Sequence, residues 1–67
     1  MWTVVYIAPS RAAAERLKAV LEREGLLANL RPLDVDENGR GSVEVLVPEA
    51  EAEEAQEVLN DHLGGLK

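Results

Sequence analysis

The dipeptide Asn38-Gly39 separates two extended apolar runs of the chain, residues 26–34 and residues 42–47. Asn-Gly between two such runs is the strongest short-range signal for a β-hairpin, because both central positions of a type I′ turn need positive φ. This feature constrains the fold more than any other, since it requires the two runs to pair as antiparallel strands.

A two-residue turn also predicts the register of this hairpin. Leu33 is then expected opposite Glu44, and Pro32 opposite Val45. Because proline has no backbone N–H to donate to a neighbouring strand, the strand that contains Pro32 is predicted to lie at an edge of the sheet.

The first part of the chain reads as a strand followed by a helix. Residues 2–8 are β-branched and aromatic, which is typical of a strand. Ser10 is a good helix N-cap, because its hydroxyl can accept from a free N–H of the first turn. Apolar residues then recur at helical intervals over 11–24, and Gly25 is placed to end the helix.

A second helix is predicted over residues 49–63, after Pro48 ends the third strand, and Gly64-Gly65 is expected to end it. Glutamates crowd its first turns, where the helix dipole favours negative charge. The predicted buried stripe consists of Ala52, Ala55, Leu59 and either Leu63 or His62.

The element order is therefore β-α-β-β-α, in a single domain over residues 1–67. The crossover makes the first two strands parallel, and the hairpin places the third strand antiparallel to the second. The predicted fold class is α+β: a ferredoxin-like sandwich lacking the fourth strand, with sheet order 1-3-2 and both helices on one face. Only Leu66 and Lys67 remain after the last helix, too few for a fourth strand.

The first strand is predicted to be an open edge that another chain could pair with. It is apolar on both faces, and the sequence leaves open whether the set Trp2, Val4 and Tyr6 or the set Val5 and Ile7 faces the helices. In either case apolar side chains are expected on the uncovered face of the sheet, where a contiguous patch would mark a docking surface. The candidate interface residues are Trp2, Val4, Val5, Tyr6, Ile7, Leu33 and Leu46.

Charge is distributed unevenly along the chain, whose formal net charge is −6. Residues 1–33 carry five basic and three acidic side chains, whereas residues 34–67 carry two basic and ten acidic ones. This balance disfavours nucleic acid as a partner, because phosphate binding needs clustered Lys and Arg. The apolar run 4–8 is too short to span a bilayer. With no cysteine in the chain, a cytoplasmic protein without a membrane partner is expected.

Side chains that could perform catalysis are few. The chain has no cysteine, and His62 is its one histidine. Its two serines are already assigned, Ser10 to the helix cap and Ser42 to the hairpin. A catalytic triad would need His62, at a helix end, to meet a serine and a carboxylate. The chain is therefore predicted not to be an enzyme and to use no cofactor.

The segment 34–39 matches the first half of an EF-hand calcium loop, which makes Asp34, Asp36 and Asn38 the candidate metal ligands. The twelfth position of such a loop supplies a bidentate carboxylate, and here it is Val45. A polar hairpin turn explains the segment better, so no metal site is predicted.

Several segments of the chain share a pattern of strand, cap and core residues: Val5–Pro9, Ala14-Glu15 with Leu17, Leu21–Leu26, Val45–Pro48, and Ala55 with Val58-Leu59. This pattern resembles a family of short bacterial proteins described as prokaryotic signal-transducing proteins, a domain of unknown function. The resemblance covers nearly the whole chain and implies a ferredoxin-like fold. The family has no established catalytic residues to carry over.

These features favour a non-catalytic regulatory, signal-transducing or adaptor module. It is expected to act by self-association, as a homodimer, or by docking a protein partner through the first strand or the open sheet face. The alternative is a sensor domain that holds a small molecule (an amino acid, a nucleotide or an ion) at a subunit interface. That alternative is an analogy with other domains of similar fold.

Overall fold

The computed structural model describes residues 1–64, and the predicted element order β-α-β-β-α is confirmed. Within these residues the sheet has three strands in the order β1-β3-β2, and β3 is antiparallel to both neighbours. The predicted ferredoxin-like α+β arrangement is therefore confirmed for the described part of the chain, while Gly65, Leu66 and Lys67 lie outside it. The elements are β1 (Trp2–Ser10), α1 (Arg11–Arg23), β2 (Asn29–Pro32), β3 (Arg40–Pro48), a 3-10 turn (Glu49–Glu51) and α2 (Ala52–Gly64).

Helix α1 begins and ends as its sequence predicts. The Ser10 hydroxyl accepts a hydrogen bond from the Ala13 N–H at 3.2 Å. At the other end, the Leu26 N–H donates to the Leu21 carbonyl at 3.1 Å and the Gly25 N–H donates to the Glu22 carbonyl at 3.0 Å. These two bonds form a Schellman motif, with Gly25 in the left-handed region at φ +84°.

Both helices cover the same face of the sheet, as predicted. The three alternate β3 residues Val43, Val45 and Val47 are almost fully buried beneath them. On the second helix Leu63 is half-buried and His62 is exposed, so the last position of its buried stripe belongs to Leu63. The buried helix residues of this core are Ala14, Leu17 and Leu21 from α1, and Ala55 and Leu59 from α2.

The predicted register of the hairpin is wrong by two residues. Pro32 pairs with Val43 rather than Val45, and Glu44 pairs with Arg31 rather than Leu33. Because a shift of two preserves the alternation of faces, each side chain stays on its predicted side of the sheet. The edge position of β2 is confirmed. Leu33, the residue after Pro32, donates its N–H to the Ser42 carbonyl. Because hydrogen-bonded and non-hydrogen-bonded pairs alternate along an antiparallel ladder, an N–H at position 32 would point away from β3, so proline removes no bond from the sheet.

The cause of this shift is a wider turn built around Asp36. The Gly39 N–H donates to the Asp36 carbonyl at 3.0 Å, and the Asp36 N–H donates to the Arg40 carbonyl at 2.9 Å. The Asp36 carboxylate also accepts from the Asn38 N–H at 2.9 Å and from the Arg40 N–H at 3.0 Å. Only Gly39 of the Asn38-Gly39 pair has positive φ, so the turn is not type I′.

A β-bulge in β1 answers the question that the sequence left open. Val4 pairs with Leu46 and Tyr6 pairs with Val45, so Val5 is an extra residue between them. An extra residue breaks the alternation of faces. Val5 is buried in the core beneath the helices and Tyr6 packs against that core, whereas Val4 lies on the opposite face.

The bulge leaves the Val5 carbonyl in contact with the second helix. The Gln56 side-chain amide of α2 donates to the Val5 carbonyl at 3.0 Å. A backbone carbonyl released from a strand ladder needs such a partner when it is partly buried. Gln56 therefore ties α2 to the irregular part of β1.

Replacing Gln56 with methionine is expected to lower the free energy of unfolding by about 1 kcal/mol, since methionine keeps the length of the side chain but has no N–H to donate. Urea unfolding followed by circular dichroism measures the change. Glu57→Met, at the next and exposed position of the same helix, is the matched control. Equal stability of the two variants would show that the bond to Val5 contributes nothing.

Candidate functional site

The face of the sheet opposite the helices carries no other element among residues 1–64, and we call it the open face. Pairing across the three strands sets its side chains in rows. Val4, Leu46 and Asn29 form one row, and Ile7, Glu44 and Arg31 form the next. The open face is completed by Trp2 at one end of β1 and by Leu33, which directly follows β2.

Most side chains of the open face are apolar and exposed, whereas Leu46 on its central strand is buried. Trp2 is 46% exposed, Val4 38%, Ile7 54% and Leu33 53%. Leu46 is only 7% exposed, yet it is not a member of the core cluster beneath the helices. Its neighbours on the adjacent strands, Val4 and Asn29, flank it on both sides. Trp2, Val4, Ile7 and Leu46 therefore form an apolar patch on β1 and β3, the kind of surface that marks a docking site, while Leu33 lies beyond the row of Glu44 and Arg31.

A single ion pair crosses the open face between β2 and β3. The Arg31 guanidinium Nε donates to the Glu44 carboxylate Oε1. The Glu44 side chain is 14% exposed and the Arg31 side chain 61%, so the carboxylate is sheltered by its cross-strand neighbours. Opposite charges directly across a strand pair stabilise the sheet modestly. They also cancel, so this face contributes little to the net charge of the chain.

The structure divides the seven predicted interface residues into two groups. Val5 and Tyr6 belong to the core side of the sheet and take no part in the open face. The other five, Trp2, Val4, Ile7, Leu33 and Leu46, lie on the open face together. Sequence reasoning missed the Arg31–Glu44 pair, because the predicted register set Leu33 rather than Arg31 opposite Glu44.

Both edges of the sheet are irregular or short. The pairing of β1 shifts between Val4 and Tyr6 and again between Ala8 and Ser10, so only three consecutive residues pair regularly between the two shifts. The other edge strand, β2, has four residues and contains Pro32. Bulges, short edge strands and proline are features that protect a sheet from edge-to-edge pairing.

The remaining residues considered from the sequence have structural partners. The Asp36 carboxylate holds the hairpin turn, and the Ser10 hydroxyl caps α1. Among the described residues, no group of three or more His, Asp or Glu side chains is arranged to hold a metal ion. Over the same residues, neither helix has the length and apolar character that crossing a bilayer requires.

Comparison of the chain with protein-family models, with curated proteins and with solved structures finds no match in any of the three. The resemblance to bacterial signal-transducing proteins therefore stays a prediction.

Proposed function

We propose that this protein is a non-catalytic regulatory or adaptor module of the bacterial cytoplasm that works by self-association through the open face. The observation that carries this proposal is the group of exposed apolar side chains Trp2, Val4 and Ile7 beside the buried Leu46, with the exposed Leu33 on the same face beyond the Arg31–Glu44 pair. Covering an apolar patch of this kind removes it from water, which favours association. A role in signal transduction accords with the family resemblance.

The face is a better route to association than the edge of β1. The bulge at Val5 interrupts β1 in its middle and limits regular pairing with a second strand to short stretches. A face-to-face arrangement needs no new backbone pairing and covers apolar side chains from β1, β3 and the end of β2 at once. It also uses the five candidate residues that lie on one side of the sheet.

Charge favours a second copy of this chain as the occupant. Two molecules with a net charge of −6 repel each other over most of their surfaces. On the open face the one acidic and the one basic side chain form an ion pair, so the repulsion is smallest there. In a two-fold dimer the same patch of each subunit meets its copy, so the patch must be complementary to itself. An apolar and neutral face meets that requirement.

The size of the face indicates a weak dimer. Strands about 4.8 Å apart and roughly 3.3 Å per residue give a flat face on the order of 400 Å² for three strands of this length. That is below the roughly 800 Å² per partner of a standard interface. We therefore expect a dissociation constant in the micromolar range, a strength suited to regulated association.

Sedimentation equilibrium of the wild type and of two charge variants tests the proposal. Ile7→Glu and Leu33→Glu each set a carboxylate on the open face, and each is expected to raise the dimer dissociation constant at least about tenfold, since the carboxylate must lose its water. Ala12→Glu, on the exposed surface of α1, adds the same charge away from the face and should leave the constant unchanged.

The two variants also distinguish the routes of association. Ile7 lies on edge strand β1, whereas Leu33 lies at the opposite side of the sheet, so face packing is weakened by both changes and pairing through the β1 edge by Ile7→Glu alone. A wild type that stays monomeric at high micromolar concentration would refute self-association. If Ala12→Glu were the only variant to lose the dimer, the interface would lie on the helices instead.

A further inference from the structure

Two hollows on the helix side of the molecule share the side chains of Arg16 and His62, and we call them together the Arg16–His62 groove. Each has a volume of about 300 Å³. The first lies where β1 meets the two helices, and its other polar side chain is Tyr6. The second continues along α1 and includes Arg23. The apolar wall of the first hollow is formed by Pro9, Ala13, Leu17 and Leu63.

The polar side chains of this groove can all donate hydrogen bonds. The guanidinium groups donate only, and the tyrosine hydroxyl and imidazole can each donate one. Among the described residues no acidic side chain lines either hollow, although the chain has 13 Asp and Glu against 7 Lys and Arg. Over the same residues the ion pairs involve Arg11 and Arg31, and Arg16 takes part in neither.

A third hollow nearby limits the extent of this donor-rich region. It also includes His62 and Arg23, but Glu24 and Asp61 line it as well. Their carboxylates repel an anion from that part of the surface. The region that favours an anion is therefore the first hollow, which is lined by Arg16, His62 and Tyr6 together with apolar side chains.

We propose that the Arg16–His62 groove binds a small organic carboxylate with an apolar body. An arginine guanidinium matches a carboxylate with two parallel N–H groups, and the tyrosine hydroxyl and the imidazole provide further donors. The apolar wall receives the body of the ligand, and a volume of about 300 Å³ is at the lower end for small-molecule sites. The groove is on the helix side, away from the open face, so the site is independent of the proposed dimer.

Titration of isotopically labelled protein with benzoate, followed by NMR at constant ionic strength, tests this proposal. Benzoate is expected to shift the signals of Ala13, Arg16 and His62 in a saturable way, with a Kd on the order of 1 mM. Benzyl alcohol, which has the same aromatic body without the charge, should bind at least about tenfold more weakly. Phenyl phosphate is the third probe and separates carboxylate from phosphate recognition.

Matched variants locate the site. Arg16→Gln and His62→Gln should each weaken benzoate binding several-fold, and Arg40→Gln, which removes a positive charge from the exposed hairpin, should not. Non-saturating shifts, equal binding of benzyl alcohol, or unchanged binding in Arg16→Gln would each overturn the proposal. Tighter binding of phenyl phosphate than of benzoate would overturn its assignment to carboxylates. None of these results bears on the dimer, which sedimentation tests separately.

Discussion

Replacing Gly41 with alanine is expected to lower the free energy of unfolding by about 3 kcal/mol or more, because the new Cβ has no space. An ideal Cβ at this position would lie 1.8 Å from the Asp34 carbonyl oxygen and 3.0 Å from the Val35 Cα. Both are backbone atoms, so the hairpin itself must move. The backbone at Gly41 also has φ +129°, a conformation that residues with a side chain rarely adopt.

Thermal and urea unfolding measure this effect against two matched glycine variants. Gly25 (φ +84°) and Gly39 (φ +78°) also have positive φ, but a Cβ at Gly25 meets nothing within 4 Å and one at Gly39 lies 3.9 Å from the nearest side chain. Gly25→Ala and Gly39→Ala are therefore expected to cost about 1 kcal/mol each, the cost of the backbone conformation alone. If Gly41→Ala costs no more than these, the close approach to Asp34 does not exist in solution.

A domain of this size has a free energy of unfolding of roughly 3–10 kcal/mol. The loss expected for Gly41→Ala is thus a large share of the total stability, and the variant is expected to unfold at a much lower temperature and urea concentration than the wild type. An unchanged melting temperature in this variant would mean that the hairpin has an alternative turn of nearly equal free energy.

Replacing Val5 with aspartate is expected to have an effect of similar size, a loss of about 3 kcal/mol or more, because it buries a charge without a partner. Val5 is 8% exposed and belongs to the core cluster. Val4→Asp is the control at the adjacent residue. Val4 is 38% exposed on the open face, so this change should cost about 1 kcal/mol of monomer stability, the usual penalty for aspartate in a strand.

Urea unfolding at a protein concentration below the dimer dissociation constant measures the two variants as monomers. The same Val4→Asp change is expected to weaken the dimer, because it sets a carboxylate beside Leu46 on the open face. Comparable destabilisation by both changes would contradict the bulge. If Val4→Asp were the more damaging, the two faces of β1 would be the reverse of those described above.

The open face therefore depends on one inserted residue. Without an extra residue at Val5, strict alternation in β1 would direct either Val4 and Tyr6, or Val5 and Ile7, toward the helices. With the extra residue, Val5 and Tyr6 both lie on the core side of the sheet, while Val4 and Ile7 both lie on the open face. The proposed association surface and the core are consequences of the same irregularity.

Signals that act within a few residues were readable from the sequence. Ser10 and Gly25 define the ends of α1 because a hydroxyl acceptor and a residue free to adopt positive φ satisfy the terminal backbone groups locally. Pro32 placed β2 at an edge because the missing N–H is a property of the residue itself. The element order and the strand order 1-3-2 follow from such signals together with the handedness of the crossover.

Features that depend on distant partners needed the tertiary structure. The hairpin turn is an exception, because the Asp36 carboxylate accepts from N–H groups only two and four residues along the chain; there two local turns competed, one at Asn38-Gly39 and one at Asp36, and the structure shows that the second one sets the register. The bulge at Val5 depends on packing beneath the helices and on a hydrogen bond from Gln56, which is 51 residues away in the chain. Every residue of β1 up to Ala8 has an apolar or β-branched side chain that fits either face, so local preference could not distinguish the faces, and only burial beneath the helices decided between them.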